Sequence, residues 1–112
     1  MESSNIPVFQ AKANTGTVAS SAIPAKFIIN ATVQAVFTDA AAAGTLKLQA
    51  SNDPVNPVHW SDIVGGSIAV AAGSTSMTPS LPNALSYQWI RAVFVSTGGA
   101  GLINGYMNTV GA

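Results

Sequence analysis

The chain has 112 residues, of which 48% are apolar and only 7% charged, and its formal net charge at pH 7 is zero. That length corresponds to one domain with one core, and no apolar run approaches the ~20 residues of a membrane-spanning helix. The four cations (Lys12, Lys26, Lys47, Arg91) are scattered among four carboxylates (Glu2, Asp39, Asp53, Asp62), which excludes the basic face that nucleic acid or an anionic membrane requires.

A soluble domain averages about a quarter charged residues. So few charges predict self-association, with much of the surface covered by copies of the chain or by a larger assembly. There are no cysteines, so the fold must hold by packing and backbone pairing alone. Met1-Glu2-Ser3-Ser4-Asn5 shows no basic region followed by an apolar stretch, and no secretory signal is expected.

In chain order, residues 1–22 read as an N-terminal arm with the first short strands, Pro7 to Ala11 and Thr17 to Ala22. The arm is rich in small polar residues, as a segment ordered by a partner would be. Residues 23–112 read as the β-sandwich, within a single domain overall. From Lys26 to Phe37, residues Phe27, Ile29, Ala31, Val33, Ala35 and Phe37 alternate with the rest, the period of a long strand with that set facing the core. Asp39-Ala40-Ala41-Ala42-Ala43-Gly44 is too short for a stable helix and reads as a loop or one helical turn.

Thr45 to Ser51 is the next strand, with Leu46, Leu48 and Ala50 inward. His59 to Ile63, Ser67 to Ala71 and Ser76 to Pro79 are shorter candidates, separated by Gly65-Gly66 and Ala72-Gly73-Ser74; Leu81-Pro82-Asn83 is a further turn cluster. Tyr87 to Val95 suits a central strand, with Ile90, Ala92 and Phe94 inward and an unusually apolar outer set of Trp89, Arg91 and Val93. Gly98-Gly99-Ala100-Gly101 reads as a mobile hairpin connection to a last strand, Leu102 to Thr109. Within that strand, Asn104-Gly105 is either a tight turn or a kink. About eight short strands predict an all-β, antiparallel β-sandwich, jelly-roll-like.

Chemistry is sparse. His59 has Asp62 three residues away and Ser51 and Ser61 nearby, but a triad needs an oriented base beside an activated nucleophile, and the plainer reading is an exposed residue beside Trp60. Zinc lacks a ligand set. Asp53 and Asp62 with loop carbonyls would be a thin calcium site; Asn52 and Asp53 before Pro54 are read instead as shaping a turn. The glycines at 98–101 lack the lysine and helix of a phosphate loop. No catalytic, cofactor-binding or metal residue is assigned, no cofactor is expected, and the chain is read as a non-enzyme. The candidate interface or ligand contacts are Trp60, Trp89, Arg91 and Tyr106, Arg91 being a lone cation in an apolar strand and the aromatics suiting an interface or a sugar ring.

Two stretches carry a resemblance. Gly44-Thr45-Leu46-Lys47-Leu48-Gln49-Ala50-Ser51-Asn52-Asp53 leads to Trp60-Ser61-Asp62-Ile63, and Tyr87-Gln88-Trp89-Ile90-Arg91-Ala92-Val93-Phe94 leads to Gly98-Gly99-Ala100-Gly101-Leu102. This layout, over roughly residues 28 to 110, resembles small virion structural proteins of tailed bacteriophages and is loosely similar to discoidin-like jelly rolls. The resemblance implies a virion β-sandwich without enzymatic residues. The leading expectation is a capsid decoration (cement) protein on the capsid surface, assembled in the host bacterial cytoplasm, with copies of itself (a homotrimer) and the major capsid protein as partners. The alternative is a tail- or fibre-tip module that binds a receptor or glycan.

Overall fold

A computed structural model describes residues 3–25, 28–78, 81–82 and 87–111. Ten strand segments follow one another: β1 (Ser3–Ala13), β2 (Thr17–Ala19), β3 (Ile23–Pro24), β4 (Ile28–Phe37), β5 (Ala43–Ser51), β6 (Ser61–Val70), β7 (Ser76–Met77), β8 (Leu81–Pro82), β9 (Trp89–Gly98) and β10 (Leu102–Gly111). One sheet runs β1-β10-β4-β7 with β8 also on β4, the other β2-β9-β5-β6 with β3 also on β9. Every pairing is antiparallel. β2 with β3, and β7 with β8, are each one interrupted edge strand. The ten segments therefore make eight strands in two four-stranded sheets, and the fold is an antiparallel jelly roll.

The two interruptions are repaired alike. Beside β9, the Ser20 N–H donates to Ala92 O (2.9 Å), and Ser20 Oγ accepts the Ala92 N–H (2.9 Å). Beside β4, the Thr78 N–H donates to Val33 O (2.8 Å), and Thr78 Oγ1 accepts the Val33 N–H (2.9 Å). In both places a hydroxyl stands where the ladder would otherwise need a carbonyl, so the Ala92 and Val33 N–H groups keep an acceptor.

The predicted alternation fills the core. Ala31, Val33, Ala35, Leu46, Leu48, Ala50, Ile90, Ala92 and Phe94 are buried between the sheets with Phe9, Ile103 and Met107, and the Phe37 and Phe94 rings stand 5.0 Å apart. Ile28, rather than Ile29, packs against this core, because the β4/β10 register shifts between Val110 and Gly111. Phe27, like Lys26, Pro79, Asn83 and the first two residues, lies outside the described residues.

Four further readings are corrected. The strands expected within residues 1–22 are present as β1 and β2, but they belong to the sandwich rather than to an arm ordered by a partner: β1 pairs along β10, and Phe9 is fully buried. Gly65-Gly66 is a bulge inside one strand, β6, rather than a turn between two. The 98–101 segment joins strands of different sheets, so it is a corner and not a hairpin. It packs against the 38–42 corner through an Ala100 N–H to Asp39 Oδ2 bond (2.6 Å), and a Cβ at Gly99 (φ 86°) would lie 2.5 Å from Ala42 Cα. Asn104-Gly105 is neither turn nor kink but straight strand. Gly105 is needed there because Phe9 Cδ2 lies 2.6 Å from where its Cβ would be; the irregularity falls on β1, where Asn104 Oδ1 accepts the Ala11 N–H (2.9 Å).

Four of the six sheet-crossing connections, at 14–16, 38–42, 71–75 and 99–101, gather at one end of the sandwich, tied by Asn14 N–H to Gly101 O (3.0 Å) and Gly73 N–H to Ala42 O (2.7 Å). The 52–60 loop, which joins β5 to β6 within one sheet, lies at the other end.

Candidate functional site

The 52–60 loop is built around Asp53. Its Oδ2 accepts the Val58 and His59 N–H groups (2.8 and 2.9 Å), and its Oδ1 faces His59 Nδ1 at 3.1 Å. The backbone bonds, His59 first, hold the Asp53 carboxyl at about 2, below its ordinary 3.8. Asn52 Oδ1 accepts the Gln88 N–H (3.0 Å) and Ser51 Oγ the Asp53 N–H (3.2 Å). Asn52 and Asp53 therefore shape the loop, as their residue types suggested.

This loop folds back over its own sheet. Trp89 Nε1 donates to Asp53 O (2.9 Å), and the Trp60 ring lies 4.4 Å from the Arg91 guanidinium carbon. Arg91 Nε donates to Gln49 Oε1 (2.9 Å), Gln49 Nε2 donates to Asp62 Oδ1 (2.9 Å), and Lys47 Nζ pairs with Asp62 Oδ2 (3.0 Å). Bonds from Gln49 and then Lys47 hold the Asp62 carboxyl low, and partial burial lowers the Arg91 guanidinium. Trp89 and Arg91 of the outer set of β9 are thus partly covered by the chain's own loop. Trp60, Trp89 and Arg91 meet on this face.

His59 pairs with Asp53, six residues before it, and not with Asp62, which the strand turns toward Lys47. The His59 side chain is 84% exposed and bonds no hydroxyl among the described residues, so those residues assemble no triad. Asp53 and Asp62 each accept N–H donors in separate places, and no group of three or more metal-ligating side chains exists among the described residues. An open pocket of about 440 Å³ lies beside them, lined by Asn52, His59, Ser61, Asp62, Val64 and Tyr87 among others.

Tyr106 stands apart, on the outer face of the β1-β10-β4-β7 sheet. Pro7, Tyr106, Gln34 and Met77 form one row across that sheet, flanked by a row of Asn5, Asn108 and Thr32 and by the pair Asn104 and Val36. Leu102, Val36, Tyr106 and Met77 are 39–52% exposed. No Lys, Arg, Asp or Glu occurs in these rows; Lys12 is exposed on the edge strand β1, opposite Ile103 and outside them, whereas Lys47, Asp62 and Arg91 sit on the opposite sheet. This neutral face escaped the sequence reading, although its signal is present: the outward sets of β4 and β10 alternate through Thr, Gln, Asn, Val and Tyr with no charge.

The jelly roll is one that phage and viral proteins share. The PBSX exported protein XepA superimposes with a TM-score of 0.73 at 18% identity, over 97% of this chain and 37% of XepA. The SPBc2 prophage-derived protein YomS gives 0.59 at 12% identity, over 96% of this chain and 93% of YomS. VP2 of the infectious bursal disease virus subviral particle gives 0.59 at 13% identity, over 98% of this chain and 32% of VP2. The chain therefore spans about a third of the length of XepA and of VP2. At these identities the likeness is one of fold. No protein-family description and no curated protein matches the sequence.

Proposed function

We propose that the chain is a phage virion structural protein, and specifically a decoration subunit that binds the capsid surface as a homotrimer through the uncharged outer face of the β1-β10-β4-β7 sheet. The observation that carries this is the segregation of charge: one sheet keeps its ions in a closed Lys47-Asp62-Gln49-Arg91 network, and the other exposes Tyr106, Met77, Val36 and Leu102 with no ion among them. Interface centres are depleted in charge and enriched in Tyr and Met, since a buried ion costs desolvation that an amide or hydroxyl does not. A standard interface takes about 800 Å² from each partner, a modest share of the 5716 Å² this subunit exposes. The likeness to phage-derived and viral chains supports the same reading, as does the resemblance of the two sequence stretches to tailed-phage proteins.

The test is light scattering on the purified protein and co-sedimentation with capsid shells, for wild type and Tyr106→Lys. Tyr106 is half exposed, so the variant folds. The wild type should be trimeric and sediment with shells, and Tyr106→Lys should lose both. A monomeric wild type whose sedimentation with shells is unchanged by Tyr106→Lys would overturn the reading.

A further inference from the structure

We propose that the pocket between the 52–60 loop and β6 binds a neutral saccharide, independently of the assembly face. The floor of the pocket is set by an irregular stretch of β6. Lys47 pairs with Ser67 and Gln49 with Asp62, so four residues, Ile63 to Gly66, stand opposite Leu48 alone. Ile63 and Gly66 turn inward, and Val64 is left 98% exposed at the pocket wall. A valine so exposed beside a concave polar surface contributes nothing to the core, but it offers an apolar contact to the C–H face of a ring.

The polar groups around it are both donors and acceptors, each fixed by its other partner. The Asp53 carboxylate can only accept, so His59 Nδ1 carries a proton toward it. Asn52 Oδ1 is occupied by the Gln88 N–H, which leaves its Nδ2 as the donor. Asp62 accepts one N–H on each oxygen, from Gln49 and Lys47, and each oxygen keeps a second acceptor site. The Ser61 hydroxyl can do either. Sugar hydroxyls, which donate and accept at once, match such a set.

Other ligand classes match less well. The only carboxylate among the described lining residues is Asp62, the ammonium of Lys47 is already paired to it, and no Lys or Arg lines the site to hold a phosphate or carboxylate. Asp53, His59 and Asp62 do not come together as a metal-ligating group among the described residues. The volume of about 440 Å³ falls within the ~300–1,000 Å³ of small-molecule sites, but the site is open and wet, which disfavours a lipid or a flat aromatic compound. Such a site binds one sugar weakly, with a dissociation constant on the order of 1 mM, and gains strength when several copies act together.

The experiment is a nitrogen-15 amide titration of the full chain with methyl glucoside, methyl galactoside, methyl rhamnoside and N-acetylglucosamine, with inorganic phosphate and calcium run separately. At least one sugar should give saturable shifts confined to Asn52, His59, Ser61 to Val64 and Tyr87. Ser61→Ala and Val64→Asp, both at exposed positions, should weaken it about tenfold while leaving the remaining spectrum unchanged. The inference is overturned if no sugar shifts these amides saturably, if phosphate or calcium does so instead, or if the sugar shifts map to the Tyr106 face. Tyr106→Lys should leave the titration unaltered, which separates failure here from failure of the assembly reading.

Discussion

Phe9 decides whether the first strand is part of the core, and its replacement by alanine can be worked through. The side chain is fully buried, and its ring occupies the space in front of Gly105. Truncating such a phenylalanine costs about 3–5 kcal/mol, a large part of the ~5–15 kcal/mol that holds a domain together. At about 4 °C per kcal/mol for a chain of this size, the melting temperature should fall by roughly 12–20 °C. Gly105→Ala alone places a methyl 2.6 Å from Phe9 Cδ2 and should cost about 1–3 kcal/mol by overpacking. In the Phe9→Ala background the same methyl enters vacated space, so the two changes should be non-additive by about 0.5–3 kcal/mol. Urea unfolding of the four proteins, followed by tryptophan fluorescence, measures all three quantities. A Phe9→Ala loss under about 1 kcal/mol, or strict additivity with Gly105→Ala, would refute the packing of β1 described above.

Ser20→Ala and Thr78→Val should each destabilise by about 1–3 kcal/mol, because each leaves a buried central-strand N–H (of Ala92 or Val33) without its acceptor; faster amide exchange at that one residue distinguishes this from a general loss. Asp53→Ala should narrow its stability gap to wild type in acid. The folded-state pKa of about 2 lies below the ordinary 3.8, so the stabilisation is complete above the higher value and lost as pH falls through the lower one. Denaturant midpoints from neutral pH down to about 2 check this, and a gap that stays constant throughout would show that the ionised carboxylate is not what caps Val58 and His59.

The long strands were legible because burial imposes a period of two: Ala31-Val33-Ala35, Leu46-Leu48-Ala50 and Ile90-Ala92-Phe94 all face inward as their spacing requires. The broken edge strands were not, since Ser20 and Thr78 mend the ladder with side-chain oxygens, and a single hydroxyl leaves no periodic trace. Glycine clusters marked chain reversals correctly at 72–74 but not at 65–66, where the same residue type serves a bulge, and at 98–101 local turn chemistry is the same for a hairpin and a corner. In the site, the position of Asp62 on a strand face was readable once β6 was drawn as a strand, and it rules out His59 as a partner. The His59–Asp53 pair depends on how a nine-residue loop closes, which residue spacing does not fix. The apolar outer set of β9 was legible in the sequence, but nothing local in Trp89-Ile90-Arg91 announces that Trp60 and Asp53 will come back over it.

The same loop links the two proposals. By folding over Trp89 and Arg91 it leaves the other sheet as the flatter face, the one proposed above for docking. Among the described residues the β1-β10-β4-β7 sheet has no comparable loop over its outer rows, and its edge strands are interrupted or bulged, which discourages indiscriminate edge pairing while leaving the flat face available. A subunit seated on a shell by that face would turn the β2-β9-β5-β6 sheet outward. The pocket, at the end of β5 and β6, would then point away from the shell in every copy. Repeated presentation of a weak site is the arrangement in which millimolar contacts become useful, so the neutral face and the pocket are compatible parts of one subunit rather than rival sites.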